Sequence, residues 1–147
     1  MLELSHEQQM LFSLLKKGLG QQSNISVTGD IHWDAVFGEA TNQAVLPLVW
    51  QGAQKLHASG RITLSAESME RLENKYQFCV RQNVRSLYAV SEMNTVMRSH
   101  HFPYIILKGL AAASYYPQYM LRMLGDVDFL IDPEQRTEVE RALDEAG

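Results

Sequence analysis

Asp126 and Asp128 stand one residue apart in the run Arg122-Met123-Leu124-Gly125-Asp126-Val127-Asp128-Phe129-Leu130-Ile131. Side chains alternate faces along an extended strand. On a strand, both carboxylates therefore point one way, while Val127 and Phe129 point into the packed side. Two carboxylates on one face repel unless a cation sits between them. Hard divalent ions such as Mg²⁺ need anionic oxygen ligands of this kind, usually together with substrate phosphates. The plainer alternative makes Asp126 turn chemistry after Gly125 and Asp128 a solvated edge residue.

The residues upstream favour the first reading. Tyr104-Ile105-Ile106-Leu107 is a short apolar run rich in β-formers and reads as a buried strand. Lys108-Gly109 follows, then a short helix over residues 110–116 that Pro117 stops. Gly109 lets backbone N–H groups approach a phosphate with no Cβ in the way. The start of the next helix adds unpaired N–H groups and a partial positive charge, and Lys108 adds a full one. Two aspartates can hold one or two metal ions that bridge the phosphates. Each part alone is commonplace, since a Lys-Gly pair after a strand is often only a turn. The ordered set makes a nucleoside triphosphate site of the kind used for nucleotidyl transfer.

The elements that must position these residues are mostly helices. Ser5-His6-Glu7-Gln8 is a capping-box start, and Met10, Leu11, Leu14 and Leu15 follow at helical spacing. Gly18 and Gly20 stop that helix, and residues 21–29 form a polar loop. Asp30 can cap a second helix carrying Trp33, Val36, Phe37 and Ala40. Pro47 fits the first turn of a third. Ser65 opens a long helix running to about Ser99, with Met69, Leu72, Tyr76, Val80, Leu87, Val90, Met93 and Met97 in helical period. It is expected to be the spine of the molecule. Arg81 and Arg85, one turn apart on it, are either a solvated face or a positive wall over the cleft. After the acidic strand, Asp132-Pro133-Glu134-Gln135 is a helix start, with Val139 and Leu143 facing inward behind it. This divides the chain into a helical region, residues 1–102, and the start of a nucleotide-binding core, residues 103–147.

Composition narrows the classes. The chain has 147 residues, 46% of them hydrophobic, which suits one ordinary domain or two small subdomains sharing a core. One cysteine, Cys79, excludes an internal disulfide framework and a Cys-rich zinc site. The N-terminus is acidic rather than basic and then apolar, so it does not read as an export signal. No run approaches the roughly 18 apolar residues of a membrane span. Together these fit a cytoplasmic protein. The net charge of −4 argues against broad nucleic-acid binding. The long apolar helix offers a face for a homodimer.

Ile106-Leu107-Lys108-Gly109-Leu110-Ala111-Ala112, Tyr115-Tyr116-Pro117, Leu121-Arg122 and Gly125-Asp126-Val127-Asp128-Phe129-Leu130-Ile131 together resemble the signature of the uncharacterised bacterial nucleotidyltransferase family. That family belongs to the DNA polymerase β-like nucleotidyltransferase superfamily. The likeness extends upstream through Val45-Leu46-Pro47-Leu48-Val49-Trp50 and covers about residues 30–147. It implies an α+β fold: a helical N-terminal bundle packed on a minimal mixed β-sheet, truncated here at its C-terminal side. It further implies Mg²⁺-dependent transfer of a nucleoside monophosphate from a triphosphate to an acceptor. Asp126 and Asp128 match the family's metal-binding acids, Lys108 and Gly109 its phosphate-holding loop, and Arg122 its arginine before the acidic strand.

Two departures stand out. The superfamily's loop usually reads Gly-Ser or Gly-Gly, whereas Lys108-Gly109-Leu110 stands here. Ser114 either substitutes for the missing serine as a phosphate contact or caps the short helix. A third carboxylate usually comes from a later strand, and Glu134, Glu138 and Glu140 read instead as a solvated helix face. Arg122 either steadies phosphate charge through its planar fork or pairs with Asp126 or Asp128. Tyr115-Tyr116 either stacks on a base or buries the short helix. A non-catalytic nucleotide-binding or regulatory module that keeps the cleft is the alternative to the enzyme. The acceptor and the nucleotide are not specified by these residues.

Overall fold

Each segment with a clear helical period forms a helix, and the longest one carries the rest. α1 (His6–Gly18), α2 (Trp33–Asn42), α3 (Leu46–Ala58) and α4 (Ala66–Ser99) come first. They are followed by β1 (Tyr104–Ile106), α5 (Gly109–Ala113), a 3-10 turn (Tyr119–Leu121), β2 (Phe129–Ile131), a second 3-10 turn (Pro133–Gln135) and α6 (Arg136–Ala146). The fold is α+β, with a small two-stranded antiparallel sheet among the described residues. The structure is a computed structural model and describes residues 4–23 and 30–147. The expected polar loop lies outside these from residue 24 onward. No helix is long and apolar enough to cross a membrane among the described residues.

Local chemistry sets most helix ends. The Ser5 hydroxyl accepts the Gln8 N–H, and the Gln8 side chain accepts the Ser5 N–H in return, closing the expected capping box. Ser65 accepts the Ser68 N–H at the start of α4, and Pro47 stands in the first turn of α3. Asp30 does not cap α2. That helix begins at Trp33 behind His32, which makes no side-chain cap bond. Ile31 and Trp33 both pack on the core, so burial rather than capping fixes the start.

The molecule has two apolar clusters, and α4 belongs to both. The larger joins α1, α2 and α3 to the first half of α4 through Leu14, Phe37, Val49, Leu56, Leu72 and Cys79, all buried. Trp50 stacks on Tyr76 across it, with ring centroids 5.7 Å apart. The smaller is built on Met93 and Met97 of α4 and Val139 of α6, with Tyr104, Ile106, Phe129 and Ile131 packed against them. A helix of 34 residues is about 51 Å long, enough to reach both.

β1 and β2 pair in the register Tyr104↔Ile131, Ile105↔Leu130 and Ile106↔Phe129. Alternation turns Tyr104, Ile106, Phe129 and Ile131 onto the smaller cluster. Ile105 and Leu130, opposite one another, remain 61% and 57% exposed. The apolar run reads as a fully buried strand, yet only one of its faces is covered among the described residues. The helix after the lysine–glycine pair is shorter than expected: α5 ends at Ala113, and a turn follows before Pro117. Asp132 caps the second 3-10 turn by accepting the Glu134 N–H, and α6 begins only after it.

Candidate active site

The strand register itself brings the lysine–glycine turn to the acids. One step beyond the last paired residues, the Leu107 N–H donates to the Asp128 carbonyl at 2.8 Å. Continuing the antiparallel count sets Lys108 and Gly109 across from Val127 and Asp126. A Cβ placed on Gly109 would lie 3.9 Å from the Asp126 carbonyl oxygen, in agreement with that count. Lys108 Nζ stands 3.5 Å from Asp128 Oδ2. The two aspartates therefore lie just ahead of β2, which starts at Phe129, rather than within it. The alternation holds through them all the same, because Val127 packs inward with Phe129 and Ile131.

Asp126, Asp128 and Gly109 line one cleft with Leu110, and α4 closes its far side with Ser86 and Val90. The cleft comprises about 280 Å³ of empty space, part of it open solvent, and the centre of a water-sized sphere fits in only about 10 Å³ of it. That is room for about one water or a bare cation. Anything of nucleotide size would lie across the open mouth, where the Lys108 and Asp128 side chains are 74% and 45% exposed. Two carboxylates lining one narrow cleft are the donor type that suits a hard divalent ion. The Lys108 ammonium already stands beside Asp128 as a cationic substitute. Among the described residues, no third His, Cys, Asp or Glu joins the pair in a metal-holding group.

Several sequence expectations resolve differently at the atomic level. Lys108 carries a positive φ (φ 48, ψ −116) that the sequence reading did not anticipate. A Cβ on Gly109 would meet nothing closer than ordinary contact, so the protein's own packing does not demand glycine there. Arg122 does not pair with either aspartate. Its Nε donates to the Gly109 carbonyl at 2.8 Å, and the ion pair with Asp128 is made by Lys108 instead. Ser114 is exposed and donates to the Ala111 carbonyl at 2.7 Å, which is the capping alternative. Tyr115 is 89% exposed, so it does not bury the short helix. Arg81 lines a separate apolar groove with Phe78 and Cys79. His57 accepts the Leu64 N–H through Nδ1, a capping role far along the chain from the acids.

Two residues of α4 escaped the sequence reading. Asn83 is fully buried, and its side-chain amide donates to the Met120 and Arg122 carbonyls (3.0 and 2.8 Å) while its Oδ1 accepts the Leu124 N–H (2.8 Å). Ser86, one turn on, donates to the Gly125 carbonyl at 3.4 Å. The backbone leading into the acidic pair is thus fastened to α4 by polar side chains. A lone buried asparagine among the apolar positions of α4 was the available signal, because buried polar groups need partners.

Residues 29–147 match the family described as "uncharacterised nucleotidyltransferase". No curated protein and no solved structure matches the chain. The family match covers most of the chain, and the chain belongs to that family.

Proposed function

We propose that this family member transfers a nucleoside monophosphate from a nucleoside triphosphate to an acceptor, with Mg²⁺ held by Asp126 and Asp128. Nucleotidyl transfer is the activity its family is described by. The observation that carries the finer reading is the shared cleft. Two adjacent carboxylates and the lysine–glycine turn meet across one strand register, with Lys108 Nζ 3.5 Å from Asp128. Bound Mg²⁺ would supply charge neutralisation at the phosphates.

The chain's own groups take the remaining work. Lys108 lies within reach of a polyphosphate across the open mouth and can neutralise its charge. The first amides of α5, at residues 109–111, have no intrahelical acceptors and can donate to phosphate oxygens. Arg122 holds the turn by its bond to the Gly109 carbonyl, and a guanidinium carries further N–H donors beyond the one used there. In the reaction, an acceptor oxygen attacks the α-phosphorus as the bond to pyrophosphate breaks. Fixed cations stabilise the charge that develops there.

Melting measured against the four triphosphates, each with and without Mg²⁺, tests the reading. A triphosphate at about one hundred times its Kd stabilises the folded state by about 2.7 kcal/mol. The shift should require Mg²⁺ and should vanish in Asp126→Asn and in Asp128→Asn, both of which should melt near the wild type without ligand. Retention of a Mg²⁺-dependent shift in both variants would reject the assignment.

A second reading, a non-catalytic nucleotide-binding module, is favoured by Ser114. Its hydroxyl is committed to the Ala111 carbonyl, and the loop holds no serine next to Gly109. Pyrophosphate release separates the two: both readings give the melting shift, and only the enzyme releases pyrophosphate.

A further inference from the structure

Asn83 and Ser23 are the buried polar side chains among the described residues, and Asn83 is the one aimed at the site. It lies on α4 between Cys79, the last buried residue in the larger cluster, and Met93, the first in the smaller. Its bonds fall on residues 120, 122 and 124, alternate positions of one segment. Arg122 is extended there, at φ −87 and ψ 128. The amide of Asn83 thus spans the exit of the 3-10 turn at Met120 and the extended backbone beyond it, giving two donors and taking one. Both amide hydrogens are in use, so the two carbonyls and the one N–H fix how the group must be turned.

The segment is itself a bridge. Arg122 offers its carbonyl to Asn83 and its guanidinium Nε to the Gly109 carbonyl. Downstream of Leu124 come Gly125, whose carbonyl Ser86 holds, and then Asp126. We infer that Asn83 is a positioning residue: by fixing residues 120–124 against α4, it sets the spacing between the acid pair and the lysine–glycine turn. A helix of 34 residues gives that fixture a rigid base. Apolar burial of Leu121 and Leu124 brings the segment to the helix, and Asn83 determines its register along it. The functional half of this inference rests on the proposed nucleotidyl transfer; the structural half does not.

Native-state hydrogen exchange without ligand tests the structural half. Three amides report on it: Leu124, bonded to Asn83; Leu107, bonded to the Asp128 carbonyl; and Ala112, bonded to the Lys108 carbonyl. In Asn83→Ala, exchange should quicken at least about tenfold at all three, with the α1 and α3 amides unchanged. Leu56→Val, a mild cavity in the larger cluster, is the control and should quicken exchange in α1 and α3 as well. Should Asn83→Ala not fold, Asn83→Ser, which retains one donor, replaces it with the same reporters. Faster exchange at Leu124 alone would overturn the inference, as would equal acceleration throughout the molecule. For the functional half, affinity for Mg²⁺–ATP should fall at least about tenfold in the Asn83 variant and stay unchanged in Leu56→Val. A wild-type chain that binds no triphosphate would sink the proposed function, while the exchange pattern would still decide the role of Asn83.

Discussion

Lys108 occupies a backbone region that L side chains rarely adopt (φ 48, ψ −116), at the point where the chain turns from β1 toward α5. Such a residue stores about 1–3 kcal/mol of strain when its surroundings hold it there. Here the Leu107–Asp128 bond on one side and the Ala112–Lys108 bond on the other do the holding. Glycine would relieve the strain at an entropic cost of about 0.5–1 kcal/mol. Lys108→Gly should therefore melt higher than Lys108→Ala, by the order of 1 kcal/mol, although both lose the ammonium. An alanine variant melting at or above the glycine variant would show no strain at this residue. Both should bind Mg²⁺–triphosphate more weakly than the wild type. Cys79 makes a second prediction at this scale. Burial pushes its thiol above its ordinary value of 9.0. Below that value, folded and unfolded chains both keep the proton. Above it the unfolded chain releases the proton first, so stability falls as pH rises toward the raised folded value. Melting measured from neutral pH to above 9.0 should fall less steeply in Cys79→Ala than in the wild type.

At the scale of elements, two glycines fix how closely α1 and α3 approach. A Cβ on Gly18 would sit 2.3 Å from the Leu48 carbonyl oxygen, and one on Gly52 would sit 2.1 Å from that of Leu14. Leu14 therefore faces Gly52 while Gly18 faces Leu48, so the helices run antiparallel with backbones in contact. In a free helix, Gly→Ala gains about 1 kcal/mol. Here the added methyl meets backbone that cannot rotate away, and overpacking costs about 1–3 kcal/mol. Gly52→Ala should lower the melting temperature, and a rise would contradict the crossing described. Gly18 reads in the sequence as a helix stop, and α1 does end there, yet its packing role depends on a partner 30 residues on and leaves no local mark. The same divide separates what was legible from what was not. Ser5, Ser65, Pro47 and the long α4 act through neighbours within a turn, so spacing reveals them. The inward alternation of Val127, Phe129 and Ile131 was legible for the same reason. Asn83 stands out by type at an apolar position of α4, but what it holds was not legible, because its partners lie 37 to 41 residues away. Residue type gave no warning at position 108, where a lysine takes the positive φ that glycine usually supplies.

The whole molecule is asymmetric in what each half can support. The larger cluster has buried side chains from four helices, Leu14, Phe37, Leu56 and Leu72 among them. The smaller buries only Met93, Met97 and Val139, with partly covered side chains around them, and the outer face of its sheet is bare at Ile105 and Leu130. A two-stranded hairpin is marginal by itself in water. The hairpin that positions the acids must therefore draw its order from α4, whose rigidity depends in turn on the bundle packed along its first half. Damage should spread in one direction. Val139→Ala, at a site 1% exposed, leaves a cavity in the smaller cluster and should speed amide exchange in β1, β2 and α6. It should leave the unfolding transition seen by tryptophan fluorescence nearly in place, since Trp33 and Trp50 both belong to the larger cluster. Leu56→Ala, fully buried in the bundle, should cost about 2–5 kcal/mol and lower both the fluorescence transition and the protection of the hairpin. An exposed change, Leu130→Thr, should move neither by more than about 0.5 kcal/mol. If Leu56→Ala melted the bundle and left the hairpin amides protected, the strands would be holding themselves, and α4 would not be what keeps the acid pair opposite Lys108.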